Sequence, residues 1–310
     1  MGGLRIKHIL RHPLRDTLSN FISLRRAKKN LRNYSSGSET SRKEPPLGYS
    51  LDWMDQFKGA LNPQEWGYAM PWGDFHPGSL HQYYDNDGTL SYVNTNHALV
   101  LELRKIPKTW KKKDLPDWRT SPQMPEEFTI PIGVGFVHTK KSWKYGWFTA
   151  DIKLPKGQSY WNAFWTASMK SWPPEIDVLE AYSEKGPRYD SKNLFGILKP
   201  NSQIRPNLHY GVIEEGSKED YGAWDVPVPD CTERFVQYAF LWEKDRIEIY
   251  YDGIKVFQCT DQKTLRWFNR EGSDMYLIFN HGLHQDYPEN PNESAMLVKN
   301  VQVWQKGAQE

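Results

Sequence analysis

From about residue 48 onward the chain consists of short apolar runs cut by Gly, Pro, Asn and Asp. The runs "ALVLELRK", "GWFTADIKL", "EIDVLEAY", "FVQYAFLW", "RIEIYYDG", "IKVFQ", "MYLIFN" and "LVKNVQVWQ" are rich in β-branched and aromatic residues, which favour a pleated, packed surface. No helical period is sustained across them. "YYDGIKVF" predicts a tight hairpin, because Asp252 and Gly253 can take the positive φ angles that such a turn needs. "WEKDRIEIYY" predicts another turn just before it. Many strands without βαβ alternation predict one all-β domain over 48–310, an antiparallel sandwich or jelly roll.

The first 47 residues carry a different pattern. Leu14, Leu18, Phe21, Ile22 and Leu31 recur at near-helical spacing among Arg and Lys, and "NYSSGSETSRKEPP" then breaks the period with turn formers. Residues 1–47 therefore read as a basic tail, an amphipathic helix or solvated arm followed by a flexible linker. Residues 1–44 hold 11 Lys and Arg against 3 Asp and Glu, about +8, whereas the remainder holds 29 against 35, about −6. The overall +2 thus hides a division: contact with an anionic membrane surface or a partner belongs to the 1–44 tail, and the main domain is not expected to bind nucleic acid. No apolar stretch of 7 to 15 residues follows the basic start, so a secretion signal is not expected, and no run approaches the roughly 20 residues of a membrane span. Cys231 and Cys259 are separated by three strands read as a meander, too far for a bridge, and two free thiols are expected. The chain is expected to act as a monomer.

One run contains chemistry. "WPPEIDVLEAY" sets Glu175, Asp177 and Glu180 among Ile176, Val178 and Leu179. Side chains alternate along a strand, so Glu175 and Asp177 share a face while Glu180, at an odd offset, points away. A β-bulge near Val178 or Leu179 would return Glu180 to the acidic face, and bulges are common beside active sites. Pro174 cannot donate to a sheet ladder, so the strand starts at about Glu175. An edge strand with three solvated acids, or a calcium site, would explain the acids less well, because hard-cation loops draw on Asn, Gly and carbonyl ligands in turns. Aromatics make up 14% of the chain, with 14 Trp, an excess that suits stacking on sugar rings.

"EIDVLE" resembles the signature of glycoside hydrolase family 16 in its bulged Glu-x-Asp-x-x-Glu form, as found in laminarinases, agarases and carrageenases. "KYGWFTADIKLPKGQSYWNAFWTAS" upstream, and "NLHYG", "FVQYAFLWEKDRIEIYYDG", "MYLIFN" and "MLVKNVQVWQ" downstream, are similar to the family's stretches in the family's order, over about residues 50–306. The resemblance implies a concanavalin A-like β-jelly roll of two curved antiparallel sheets with the acids on the concave face. It implies an endo-acting, retaining β-glycan hydrolase of glucanase or galactanase type that works by double displacement, with transglycosylation or sugar binding without turnover as alternatives. By resemblance Glu175 is the nucleophile, Glu180 the general acid/base, and Asp177 the residue between them. Trp172 and Trp161 resemble subsite tryptophans, His209 a cleft histidine and Asn280 a further sugar contact, while Trp165 is expected to pack inside. No cofactor is required by the resemblance. The calcium that many members hold on the convex face is disfavoured by Lys299, which stands where an Asp often appears. Val236 replaces a His of many members. Family members are mostly extracellular, whereas this N-terminus is not a secretion signal. Lys199 and Arg205 would suit a sulfated galactan, but a neutral β-1,3 or mixed-linkage glucan fits equally.

Overall fold

A computed structural model describes residues 43–307 apart from 71–72, 77–78, 158, 169, 183–202, 212–218, 222–225, 229 and 285–291. Residues 1–42, and with them the amphipathic pattern of the tail, lie outside the described residues, as does Lys199.

Two sheets carry the fold. The first holds β1 (Tyr49–Asp55), β3 (Tyr83–Tyr84), β4 (Ser91–Val93), β5 (Leu99–Arg104), β8 (Gly133–Val134), β10 (Gly146–Lys153), β16 (Val236–Glu243), β17 (Arg246–Tyr251), β18 (Ile254–Cys259) and β20 (Ser294–Lys306). The second holds β2 (Trp66–Tyr68), β9 (Phe136–Thr139), β11 (Trp161–Ser168), β12 (Glu175–Tyr182), β13 (Gln203–Tyr210), β14 (Glu219–Asp220), β15 (Val226–Pro227) and β19 (Met275–Asn280). A separate hairpin pairs β6 (Lys108–Lys111) with β7 (Glu127–Ile130). Pairing is antiparallel except between β3 and β8. These are the two curved sheets of a jelly-roll, concanavalin A-like sandwich.

Phenylalanines clamp the sheets together. Phe148 of β10 stacks on Phe240 of β16 at 4.3 Å, and Phe164 of β11 stacks on Phe279 of β19 at 4.6 Å. Phe164 then meets Phe240 across the interface at 6.2 Å. Each of the four is fully or almost fully buried, and burying one such ring stabilises the fold by about 1.5–3 kcal/mol. Ile176, Val178, Leu179 and Ala181 of β12 join the same core. The inward face of β12 is therefore apolar, and what it presents on its other face is set by register.

The predicted hairpin is present: Asp252 and Gly253 have φ of 48° and 80°, and β17 pairs with β18 around them. Cys231 and Cys259 are buried and form no disulfide, as expected. A helix not anticipated by periodicity, α1 (Gln262–Phe268), is only seven residues long, too short to show a period. Asp261 caps it by accepting the Lys263 N–H, and Leu265 and Phe268 pin it to the core. β1, β6 and β7 are also absent from the apolar pattern; every residue of β1 is exposed or half-buried, so it lacks a hydrophobic run.

Candidate active site

β12 begins at Glu175, as Pro174 requires. Along its contact with β11 the register runs Ala167↔Glu175, Trp165↔Asp177 and Ala163↔Glu180, with a shift between Phe164 and Trp165. Two residues of β11 thus face three of β12, and Val178 is the extra one. The contact with β13 repeats the shift: His209↔Glu175, Asn207↔Asp177 and Arg205↔Glu180. Because 163, 165 and 167 on one neighbour, and 205, 207 and 209 on the other, advance in steps of two, all three acids lie on one face of the sheet. The parity problem posed by the sequence is resolved by the bulge.

Two features outside β12 accommodate it. Pro206 falls in the interval of β13 with no register partner, where a residue without an N–H interrupts no ladder bond. On the core side, the Tyr251 hydroxyl of β17 donates to the Val178 carbonyl at 2.8 Å, a buried bond between the two sheets. An unpaired buried carbonyl would be costly, so the opposite sheet satisfies the group that the bulge removes from regular pairing.

Glu175, Asp177 and Glu180 are buried, at 8%, 2% and 7% exposure. The Trp172 indole N–H donates to Glu175 Oε2 at 2.5 Å, and the Trp161 indole N–H donates to Glu180 Oε1 at 3.2 Å. The two tryptophans therefore flank the acid row, one at each outer acid, with Trp172 40% exposed. His209 Nε2 lies 3.2 Å from Asp177 Oδ2 and 3.4 Å from Glu175 Oε1, while Nδ1 lies 2.5 Å from Asp220 Oδ1. The Asn207 amide nitrogen is 3.2 Å from the same Nε2. Asp177 Oδ2 meets no aligned hydrogen-bond donor among the described residues, so its contact with His209 is chiefly electrostatic.

Charge is distributed accordingly. Burial pushes the Glu175 carboxyl well above the usual carboxylate range and the Asp177 charge adds to this, while His209 and the Trp172 N–H act in the opposite direction. Burial alone would push His209 down, but Asp177, Asp220 and Glu175 outweigh it and hold the imidazolium up to about 11. At neutral pH a cation thus sits between the buried acid pair and Asp220. Glu175, Asp177 and His209 offer ligand atoms within 4.8 Å of one another. A protonated His209 would itself offset the charge of these two acids, with no metal needed to do so.

The acid face has its own apolar floor. Phe136, Ala163, Trp165, Ala167, Tyr276 and Ile278 form a cluster distinct from the inter-sheet core. Ala163 and Ala167 separate the acids from β19 and keep the floor low. Trp165, expected inside the sandwich, is buried but shares this face with the acids, and its indole N–H donates to Asn280 Oδ1 at 2.8 Å. Asn280 is brought to the same face through its register with Ala163. Its amide oxygen is thus already engaged within the protein. Tyr251, Asp220 and Asn207 were not picked out by sequence. Tyr251 and Asp220 carry no local motif, and only Pro206 inside an otherwise strand-like "QIRPNLHY" hints at the irregularity opposite them.

This arrangement offers a carboxylate and a second carboxyl group on one face, each tied to a tryptophan, with a cation to offset the buried charge. The sequence pattern described as Glycosyl hydrolases family 16 matches residues 82–282. A Glucan endo-1,3-beta-glucosidase of Cryptopygus antarcticus is 25% identical over 81% of this chain and 88% of its own length. Glucan endo-1,3-beta-glucosidase A1 of Niallia circulans is 25% identical over 84% of this chain, which spans only 38% of that protein. Among solved structures, the catalytic domain of an endo-1,3-beta-glucanase (laminarinase) from Thermotoga petrophila superposes with a TM-score of 0.60, at 22% identity, over 83% of this chain and 98% of that one; this likeness concerns the fold. The chain belongs to glycosyl hydrolase family 16, and its chemistry is that of an endo-acting, retaining glycan hydrolase.

Proposed function

We propose that the protein cleaves internal bonds of a β-1,3-linked glucan, with Glu175 as nucleophile and Glu180 as general acid/base. In the first step the Glu175 carboxylate attacks the anomeric carbon as the bond to the leaving oxygen breaks, and Glu180 delivers its proton to that oxygen. In the second step the Glu180 carboxylate takes a proton from water, whose oxygen displaces Glu175 from the same carbon. Two inversions leave the configuration retained. Asp177 stands between the two glutamates on the acid face, and His209 offsets the charge beside Glu175. Trp172 and Trp161 offer stacking faces on either side of the scissile bond, and Asn280 a polar contact at the floor.

The observation that carries these roles is the bulge at Val178, read independently from the β11 and β13 registers. The choice of glucan draws on the activity named for the Cryptopygus antarcticus and Niallia circulans relatives. A panel of laminarin, lichenan, agarose, carrageenan and xyloglucan, followed by reducing-end release and product sizing, tests it. Laminarin should fall rapidly to short oligosaccharides. Inert laminarin beside a degraded galactan would overturn the substrate assignment while leaving the acid roles to be tested on the glycan that is cut.

A further inference from the structure

Asp220 belongs to none of the roles above, yet it touches the group that controls them. It lies on the two-residue strand β14, directly opposite His209 on β13, while His209 lies directly opposite Glu175 on β12. Three adjacent strands therefore line up Asp220, His209 and Glu175 across the sheet. The side chain of Asp220 is half exposed at 51%, that of His209 15% exposed, and that of Asp177 only 3% exposed. The row leads from solvent to the buried acids through one imidazole.

Each nitrogen of that ring has a different partner. Nδ1 is 2.5 Å from Asp220, and Nε2 faces Asp177 and Glu175. A neutral imidazole has one N–H and could serve one side only; serving both takes the imidazolium, with Asn207 turning its amide oxygen, which has no partner among the described residues, toward Nε2 in place of its nitrogen. The two buried carboxylates attract the Nε2 proton, but they do not fix the ring's orientation about its own bonds. Asp220 stands against the opposite edge of the ring.

We propose that Asp220 is a positioning residue: by accepting the Nδ1–H of His209 it holds the ring with its Nε2 edge turned toward Asp177 and Glu175. The proposal rests on the assignment of Glu175 as nucleophile. The groups that face His209 are Glu175 and Asp177 from β12, Asp220 from β14 and Asn207 on its own strand; the Trp172 ring stands 6.1 Å away. Replacing the Asp220 carboxylate by the neutral amide of Asn leaves Nδ1–H an acceptor but removes the charge beside it, so the imidazolium gives up its proton at lower pH. Without that cation Glu175 is harder to ionise.

The test uses the full chain labelled with 15N-histidine and the variant Asp220→Asn, with His209→Gln to assign the resonances. In the parent protein the His209 nitrogens should keep their imidazolium shifts from pH 6 to pH 9, whereas in Asp220→Asn they should titrate within that window. In parallel, kcat on laminarin should fall at least about tenfold with KM little changed, and the acid limb of the pH profile should move toward neutrality. A purely structural role would lower thermal stability without moving either titration. Imidazolium shifts that persist unchanged in Asp220→Asn would overturn the proposal whatever the activity. The NMR titration reads the Asp220–His209 link even if laminarin proves not to be the substrate, while near-normal turnover of Glu175→Gln would refute the nucleophile assignment separately.

Discussion

Tyr251→Phe removes one oxygen from the far sheet and nothing from the acid face. That oxygen is the donor to the Val178 carbonyl at 2.8 Å, and both residues are buried. Leaving the carbonyl unpaired costs about 1–3 kcal/mol, a sizeable part of the 5–15 kcal/mol typical of a domain but not all of it. For a domain of this size each kcal/mol lowers Tm by roughly 2–4 °C, so a drop of about 2–12 °C is expected. The bulge itself should persist, because the unbulged register would bury Glu180 in the core and turn Leu179 outward, a far greater cost. What is lost is the rigidity with which Val178 sets the direction of Glu180. The effect should therefore concentrate where Glu180 must donate a proton: kcat on laminarin should fall about 3- to 10-fold, equivalent to about 0.6–1.4 kcal/mol. On an aryl glycoside with an acidic phenol leaving group, formation of the glycosyl-enzyme should be nearly unaffected. The assay is steady-state turnover on laminarin, pre-steady-state release of the phenol, and a thermal melt. An unchanged Tm together with unchanged turnover would refute the reasoning. Equal losses on both substrates would mean that the tether supports the whole site rather than the direction of Glu180.

Glu175→Gln should lower kcat by several orders of magnitude with the melt retained, measured on whichever glycan is cut. Glu180→Gln should be partly tolerated when the leaving group is a good one, so that the slope of log kcat against leaving-group pKa steepens relative to the parent. Trp172→Phe keeps a ring for stacking but removes the N–H that favours ionised Glu175; the acid limb of kcat/KM should shift upward in a pH profile. For stability, the native His209 pKa of about 11 lies above the ordinary value of 6.5, so its contribution is fully present below about 6.5 and is lost as pH rises toward 11. Denaturant melts of the parent and His209→Gln should accordingly converge as pH is raised from 7 to 10.

The acid strand was legible in the sequence because its chemistry is local. Pro174 marks its start, Ile176 and Val178 mark it as a strand, and the odd offset of Glu180 calls for one extra residue at a place that both neighbouring registers supply. The Asp252–Gly253 turn was legible for the same reason: the φ requirement sits in two adjacent residues. The supports of the site were not. Tyr251 is 73 positions from Val178 and looks like any strand aromatic until two sheets are packed together. Asp220 meets His209 only once β13 and β14 pair. Trp165 could not be assigned a face without knowing where the bulge falls, because the shift lies between it and Phe164. The excess of tryptophan also divides in a way composition cannot show: Trp66, Trp147 and Trp242 are fully buried in packing, whereas Trp161 and Trp172 attend the acids.

Azide rescue of the two glutamate variants reads directly whether Glu175 and Glu180 act on opposite sides of one anomeric carbon. With an activated aryl β-glycoside, Glu180→Ala should still form the glycosyl-enzyme, and azide should then release the β-glycosyl azide. Glu175→Ala should instead admit azide from the opposite side and yield the α-glycosyl azide. Rescue by azide in neither variant, or the same anomer from both, would contradict the pairing of these acids across the bulge.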